Sequence, residues 1–247
     1  YLPRISNNRN YCPPGFNNGR PAPKLVPLAT GGKGQAVSEE EILEERRRLA
    51  TLALELTKKR GKEITLSILA TESETPRIRL EQFFEDDSDL FESVAELWME
   101  KHISIMEEVV ASDLPPNRKM YEFFVRRFRV SRERFRRNPA SFALICELGA
   151  ARMERVRSFV DLADHYLCEV IAQAQADGYF VGLGIDEALS LINQMVANYT
   201  LPDALMYIDE RLSEEKLARI IDTIFIGLSG EDGGSRGVNT MLLASSQ

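Results

Sequence analysis

The chain has 247 residues, 44 % of them hydrophobic and 28 % charged, with 15 Gly and 11 Pro, a composition that excludes a collagenous or wholly disordered chain. Its net charge of −7 sets the average against nucleic acid, so any such surface has to come from local patterning. Three cysteines, Cys12, Cys146 and Cys168, are too few for a disulfide framework; with no run near the roughly 20 apolar residues of a spanning helix and no signal-peptide core, a soluble cytoplasmic protein without membrane association is expected.

Residues 1–38 carry Arg4, Arg9, Arg20, Lys24 and Lys33 but no acid, and they show no hydrophobic period. That predicts a disordered basic tail. Ser38-Glu39-Glu40-Glu41 has the form of a capping box, so a helix is expected from Glu39 to Arg60, ended by Gly61. Two short helices follow. Thr65 caps the first, with Leu66, Leu69 and Ala70 as its apolar positions, and Pro76 opens the second, which runs to Phe84 and turns Leu80, Phe83 and Phe84 inward. Asp86 with Asp89 caps a fourth helix that reaches about Val110.

After Pro115-Pro116 the pattern stays helical. Asn117 to Arg137 stops at Asn138-Pro139, Ala140 to Leu148 is short, and Arg152 to Ala176 is long and closed by Asp177-Gly178. Asp186 to about Tyr199 ends before Pro202, and Ser213 to Leu228 is the last helix, with a flexible tail over 229–247. No alternating β pattern of any length occurs. The expected fold is all-α, with about nine helices.

Two short helices joined by a tight turn, with longer helices to bury them, specify a helix-turn-helix unit. With Leu80, Phe83 and Phe84 inward, Arg77, Arg79 and Gln82 face out; arginine can bridge guanine and glutamine adenine, so these are candidate base readers. These residues resemble the N-terminal domain of the TetR-type transcriptional regulators: a helix ending in Gly over Leu52 to Gly61, a Thr-capped helix over Thr65 to Ala70, a recognition helix over Pro76 to Phe84, and a capped turn at Asp86 to Leu90. The motif resemblance covers roughly Glu41 to Trp98; the later helices are similar to the family's ligand-binding domain in order and length.

The resemblance implies a helix-turn-helix domain over 39–86 and a ligand-binding and dimerisation domain over 87–228. It adds Thr65 and Thr75 to Arg77, Arg79 and Gln82 as contacts to double-stranded operator DNA. Three residues depart from the family's pattern: Glu74 replaces a turn Gly, Glu81 a phosphate-contacting Tyr and Asp87 a Lys, each a carboxylate where phosphate would approach. Trp98, His102, Phe124, Phe128, Phe142, Cys146, His165 and Tyr166 form an apolar set with a few polar groups, a candidate pocket for a small-molecule effector. Leu189, Ile192 and Val196, with Leu217, Ile220, Ile221, Ile224 and Phe225, carry the apolar stripes of the last two predicted helices and are candidates for a homodimer interface.

Arg126, Arg127, Arg129, Arg132, Arg134, Arg136 and Arg137 crowd one helix and read as a solvated face paired with nearby acids such as Glu133, with an acidic effector as the alternative. Two histidines without cysteine or carboxylate partners at ligand spacing predict no zinc site. No nucleophile elbow, phosphate loop or dinucleotide turn is found, since Gly182-Leu183-Gly184 lacks the following glycine, so neither catalysis nor a cofactor is expected. The expected function is a ligand-responsive repressor; the alternative is a TetR-like sensor or protein-interaction module that has lost DNA binding.

Overall fold

The computed structural model describes residues 38–230; the tails expected at either end fall almost wholly outside them. Ten α-helices account for most of this stretch: α1 (Glu39–Arg60), α2 (Leu66–Glu72), α3 (Arg77–Leu80), α4 (Asp87–Val110), α5 (Pro116–Arg137), α6 (Pro139–Ala151), α7 (Met153–Ala176), α8 (Ile185–Thr200), α9 (Pro202–Ile208) and α10 (Glu214–Leu228). The fold is all-α. Among the described residues no helix is long and apolar enough to cross a membrane. They pack into two compact units, one made of 38–104 with 130–160 and the other of 105–129 with 161–230.

The helix starts follow local chemistry. Ser38 and Glu41 form the reciprocal capping box, Glu41 N–H donating to Ser38 Oγ at 3.2 Å and Ser38 N–H to the Glu41 carboxylate at 2.8 Å. Asp86 accepts the Asp89 N–H at 2.8 Å, and Asn138 accepts that of Ser141 at 3.0 Å, so the predicted stop at Asn138 doubles as the cap of α6. Gly61 closes α1 at φ 63°, the left-handed conformation open to glycine.

In the first unit, Leu49 and Ala53 of α1, Leu66 and Leu69 of α2, Leu80 of α3, Phe84, Leu90 and Val94 of α4 and Ile145 of α6 form one buried cluster. Each large side chain taken from water contributes about 1.5–3 kcal/mol. The polar fastening is Arg46 of α1. Its guanidinium meets Asp89 with two bonds, one at 3.1 Å, donates to the Phe83 carbonyl and lies 4.8 Å over the Phe84 ring. Arg152 makes a second tie, pairing with Glu63 and lying 5.0 Å over Phe91.

The second unit is built on Phe123, Phe124 and Phe128 of α5, Leu167, Val170, Ile171 and Ala174 of α7, and the inner faces of α8 and α10. Phe180, between α7 and α8, takes φ +54° although it is not glycine. Its fully buried ring packs 4.8 Å from Phe225 of α10, and that burial offsets the backbone strain.

Two expectations about elements need correction. The second short helix, expected over Pro76 to Phe84, is α-helical only from Arg77 to Leu80. Beyond Leu80 the chain tightens into i→i+3 bonds, Gln82 N–H to Arg79 O at 3.2 Å and Phe83 N–H to Leu80 O at 2.9 Å, and Arg46 takes the Phe83 carbonyl. The count of about nine helices omits α9, because Pro202, read as a stop, stands at the first turn of a new helix where its missing N–H costs nothing.

Burial works against the Asp89 carboxylate, but hydrogen bonds from Arg46 and from the Glu85 N–H outweigh it and hold its pKa below the usual aspartate value. Its stabilisation is therefore fully present above the unfolded carboxylate pKa and is lost as pH falls through the lowered folded value. Asp89→Ala is expected to cost roughly 2–3 kcal/mol at neutral pH, since it strands a half-buried guanidinium. In denaturant titrations the gap to the wild type should narrow below about pH 4.

Candidate functional site

Around a helix with a residue every 100° or so, burying Leu80 turns Ile78 most directly outward, with Arg77 and Arg79 to either side. Arg77, Ile78, Arg79 and Gln82 are all exposed, and Ile78 is 76 % exposed. Ile78 is not among the candidates that the sequence analysis names; a bare apolar side chain between two arginines suits contact with a thymine methyl. Thr65 and Thr75 are half-buried and serve the backbone; Thr65 Oγ1 accepts the Ile68 N–H at 3.4 Å and Thr75 Oγ1 donates to Ser73 O at 3.2 Å.

The three acids of the head have distinct roles. Glu74 adopts φ +52° in the turn between α2 and α3, so the turn keeps the left-handed geometry that glycine serves best, with a side chain attached. Glu81 pairs with Arg77, Nε to Oε1 at 3.0 Å, and Arg77 also donates to Ser67. Asp87 Oδ1 accepts the Leu66 N–H at 2.7 Å and so satisfies the first amide of α2. Arg79 stays exposed, with the Glu45 carboxylate as a charge neighbour.

The eight candidate effector residues divide between the two units. In the first, the rings of Trp98 and Phe142 are 6.1 Å apart, Arg134 lies 4.3 Å over Trp98, His102 is buried and Cys146 is half-buried. In the second, Phe124 and Phe128 are buried, Phe128 lies edge-on to Tyr199 at 5.1 Å, His165 pairs with Glu169 at 3.0 Å and the Tyr166 hydroxyl meets Glu107 at 3.1 Å. A groove of about 340 Å³ in the second unit is lined by other residues, among them Leu114, Pro116, Lys119 and Gln173. Lys119 Nζ bonds there to Val110 O at 3.1 Å and Gln173 Oε1 at 2.6 Å, which closes the C-terminal end of α4.

Of the interface candidates, Ile192, Val196, Leu217, Ile221, Ile224 and Phe225 are buried within the second unit, while Leu189 and Ile220 are half-buried. A 3.6-residue stripe marks a face to be covered and is silent on whether a neighbouring helix or a second copy covers it. Apolar side chains left exposed on and beside these helices are Met195, Leu201, Tyr207 and Ile226, the last two 84 % and 79 % exposed.

The sequence profile of the tetracyclin repressor-like C-terminal domain matches residues 116–221. Over those residues the chain is similar to the TetR-type family. A crystal structure of a protein from Pseudomonas aeruginosa PAO1, assigned as a transcriptional regulator, superposes with a TM-score of 0.58 at 13 % identity over 76 % of this chain and 92 % of that one; at that identity the likeness is one of fold. No curated protein matches the chain in sequence.

The turn between α2 and α3 provides a test. Glu74→Gly relieves the left-handed penalty but adds freedom to the unfolded chain, and the balance is expected to stabilise the protein by about 0.5–1 kcal/mol. Glu74→Val, β-branched at the same φ, should lower the melting temperature. Thermal unfolding of the pair checks both signs.

Proposed function

We propose that the chain is a ligand-responsive, DNA-binding transcriptional repressor that works as a homodimer in the cytoplasm, without catalysis or cofactor. The observation that carries this reading is the outward Arg77-Ile78-Arg79 turn on a closed core, in a chain whose later residues match a tetracyclin repressor-like domain. Two heads related by a two-fold axis would enter successive major grooves, with Arg79 and Gln82 at base edges and Ile78 against a thymine methyl. A small apolar or amphipathic effector releases the operator only if it binds the DNA-incompetent state better. The exposed Met195, Tyr207 and Ile226 supply apolar surface for the second copy.

A second reading is favoured by the internal bonds of the head. Arg77 is neutralised by Glu81, and Asp87 already serves the first amide of α2, an arrangement that suits a TetR-like sensor or interaction module no longer needing DNA.

Selection from random duplexes at low salt decides between them. The repressor reading expects a two-fold-related operator, with Arg79→Ala weakening binding by about 1–3 kcal/mol through one base position. Glu81→Gln should free Arg77, strengthen binding on every sequence and steepen the salt dependence by about one phosphate contact. Recovery of DNA only with Glu81→Gln favours the sensor; no duplex from either protein removes the regulator. Ile226→Asp should shift light scattering from dimer towards monomer without unfolding the chain, and an unchanged mass would take Ile226 out of the interface.

A further inference from the structure

The seven arginines over residues 126–137 of α5 are not equivalent. Arg126 pairs with Glu108, Arg129 with Glu214 and Arg137 with Glu133, while Arg134 donates to Trp98 O at 2.7 Å. Arg132 and Arg136 are likewise engaged. Arg127 differs. Its Nε is buried with no hydrogen-bond partner, the one such side-chain atom among the described residues. The guanidinium lies 5.1 Å over the fully buried Phe123 ring.

The nearest help is indirect. Asp164 of α7 favours the charge of Arg127, but it is not in an ion pair with it, and its Oδ1 is occupied by Asn193 Nδ2 of α8 at 3.0 Å. Burial lowers the Arg127 pKa to about 10, with Asp164 acting the other way, so the group stays charged at neutral pH in a setting that disfavours charge. Burial likewise pushes the Asp164 carboxyl up, against the bond from Asn193. Replacing a poorly compensated buried charge by an apolar side chain of similar volume is often neutral or stabilising, so stability alone gives little reason for an arginine here.

We propose that Arg127 is the anchor of an anionic effector: its planar fork takes the carboxylate or phosphate head of a small organic anion whose apolar body lies along Phe123 and neighbouring α5 rings, with Asn193 holding Asp164 away from the incoming head. The geometry suits a fork more than a point charge, because one edge of a guanidinium offers two parallel N–H donors to such a head. Phe124 and Phe128 lie near Arg127 on α5, and His165 and Tyr166 follow Asp164 on α7; these four are the second unit's share of the effector candidates. The proposal rests on the effector part of the repressor reading and leaves DNA binding to its own test.

The probes are octanoate, octyl phosphate and octan-1-ol below their aggregation limits, read by thermal shift and by the Arg127 Nε–H cross-peak in ¹H–¹⁵N spectra of the full chain, with Arg127→Lys assigning the peak. One or both anions should raise the melting temperature and move that peak, the two arms separating carboxylate from phosphate, while the alcohol does neither. Arg127→Met should weaken anion binding about tenfold or more yet keep the melting temperature of the unliganded wild type; should it fail to fold, the cross-peak of the wild type decides. Anions that leave the peak in place, or a Met variant that binds them as the wild type does, would overturn the proposal. An alcohol that matches the anions would overturn it too, while leaving a neutral effector in place. Loss of the operator in the duplex selection with anion binding intact would sink the repressor and spare Arg127.

Discussion

The first unit is organised around one guanidinium. Arg46 reaches from α1 to the Asp89 carboxylate in the first turn of α4, to the Phe83 carbonyl where α3 has ended, and to the face of the Phe84 ring. No other side chain offers several donors in a plane together with a cation able to rest on an aromatic ring. Removing it would leave a carboxylate and a carbonyl half-buried and without their donor. The end of α3, the start of α4 and the position of Phe84 in the core all follow from that placement, and with them the direction in which Ile78 and Arg79 point.

Acids in the head accordingly have two faces. By type and position, Glu74, Glu81 and Asp87 read as carboxylates set against phosphate. In the structure each also has local work: Glu74 holds a left-handed turn, Glu81 holds Arg77, and Asp87 serves an amide at the start of α2. Changing Asp87 to a cation would break a bond of the fold as well as remove a charge, which makes Glu81 the cleaner place to ask whether charge limits DNA binding.

Local signals were legible in the sequence. The cap at Ser38, the left-handed end at Gly61, the cap at Asp86 and the break at Asn138 each depend on residues within four positions, and each stands as read. What could not be read depends on distant partners. The early end of α3 is set by Arg46, 37 positions before Phe83. Burial of Ile192 and Ile221 inside their unit is set by helices folding back on one another, and periodicity reports an apolar face without naming what covers it. The composition of the arginine row on α5 gave its charge, whereas the exceptional position of Arg127 emerged only when the partners of its neighbours were known.

The bond from Leu66 N–H to Asp87 bears on how the head persists in time. A helix of seven residues and one of four, α2 and α3, fall far below the length at which a helix survives alone in water. They borrow their lifetime from α1 and α4, and Asp87 ties the first amide of α2 to the first turn of the longer helix. Opening that turn releases the amide, and the core around Leu69 and Leu80 loses its wall in the same event. The head is therefore expected to open as a single cooperative unit, with α2 and α3 formed or lost together.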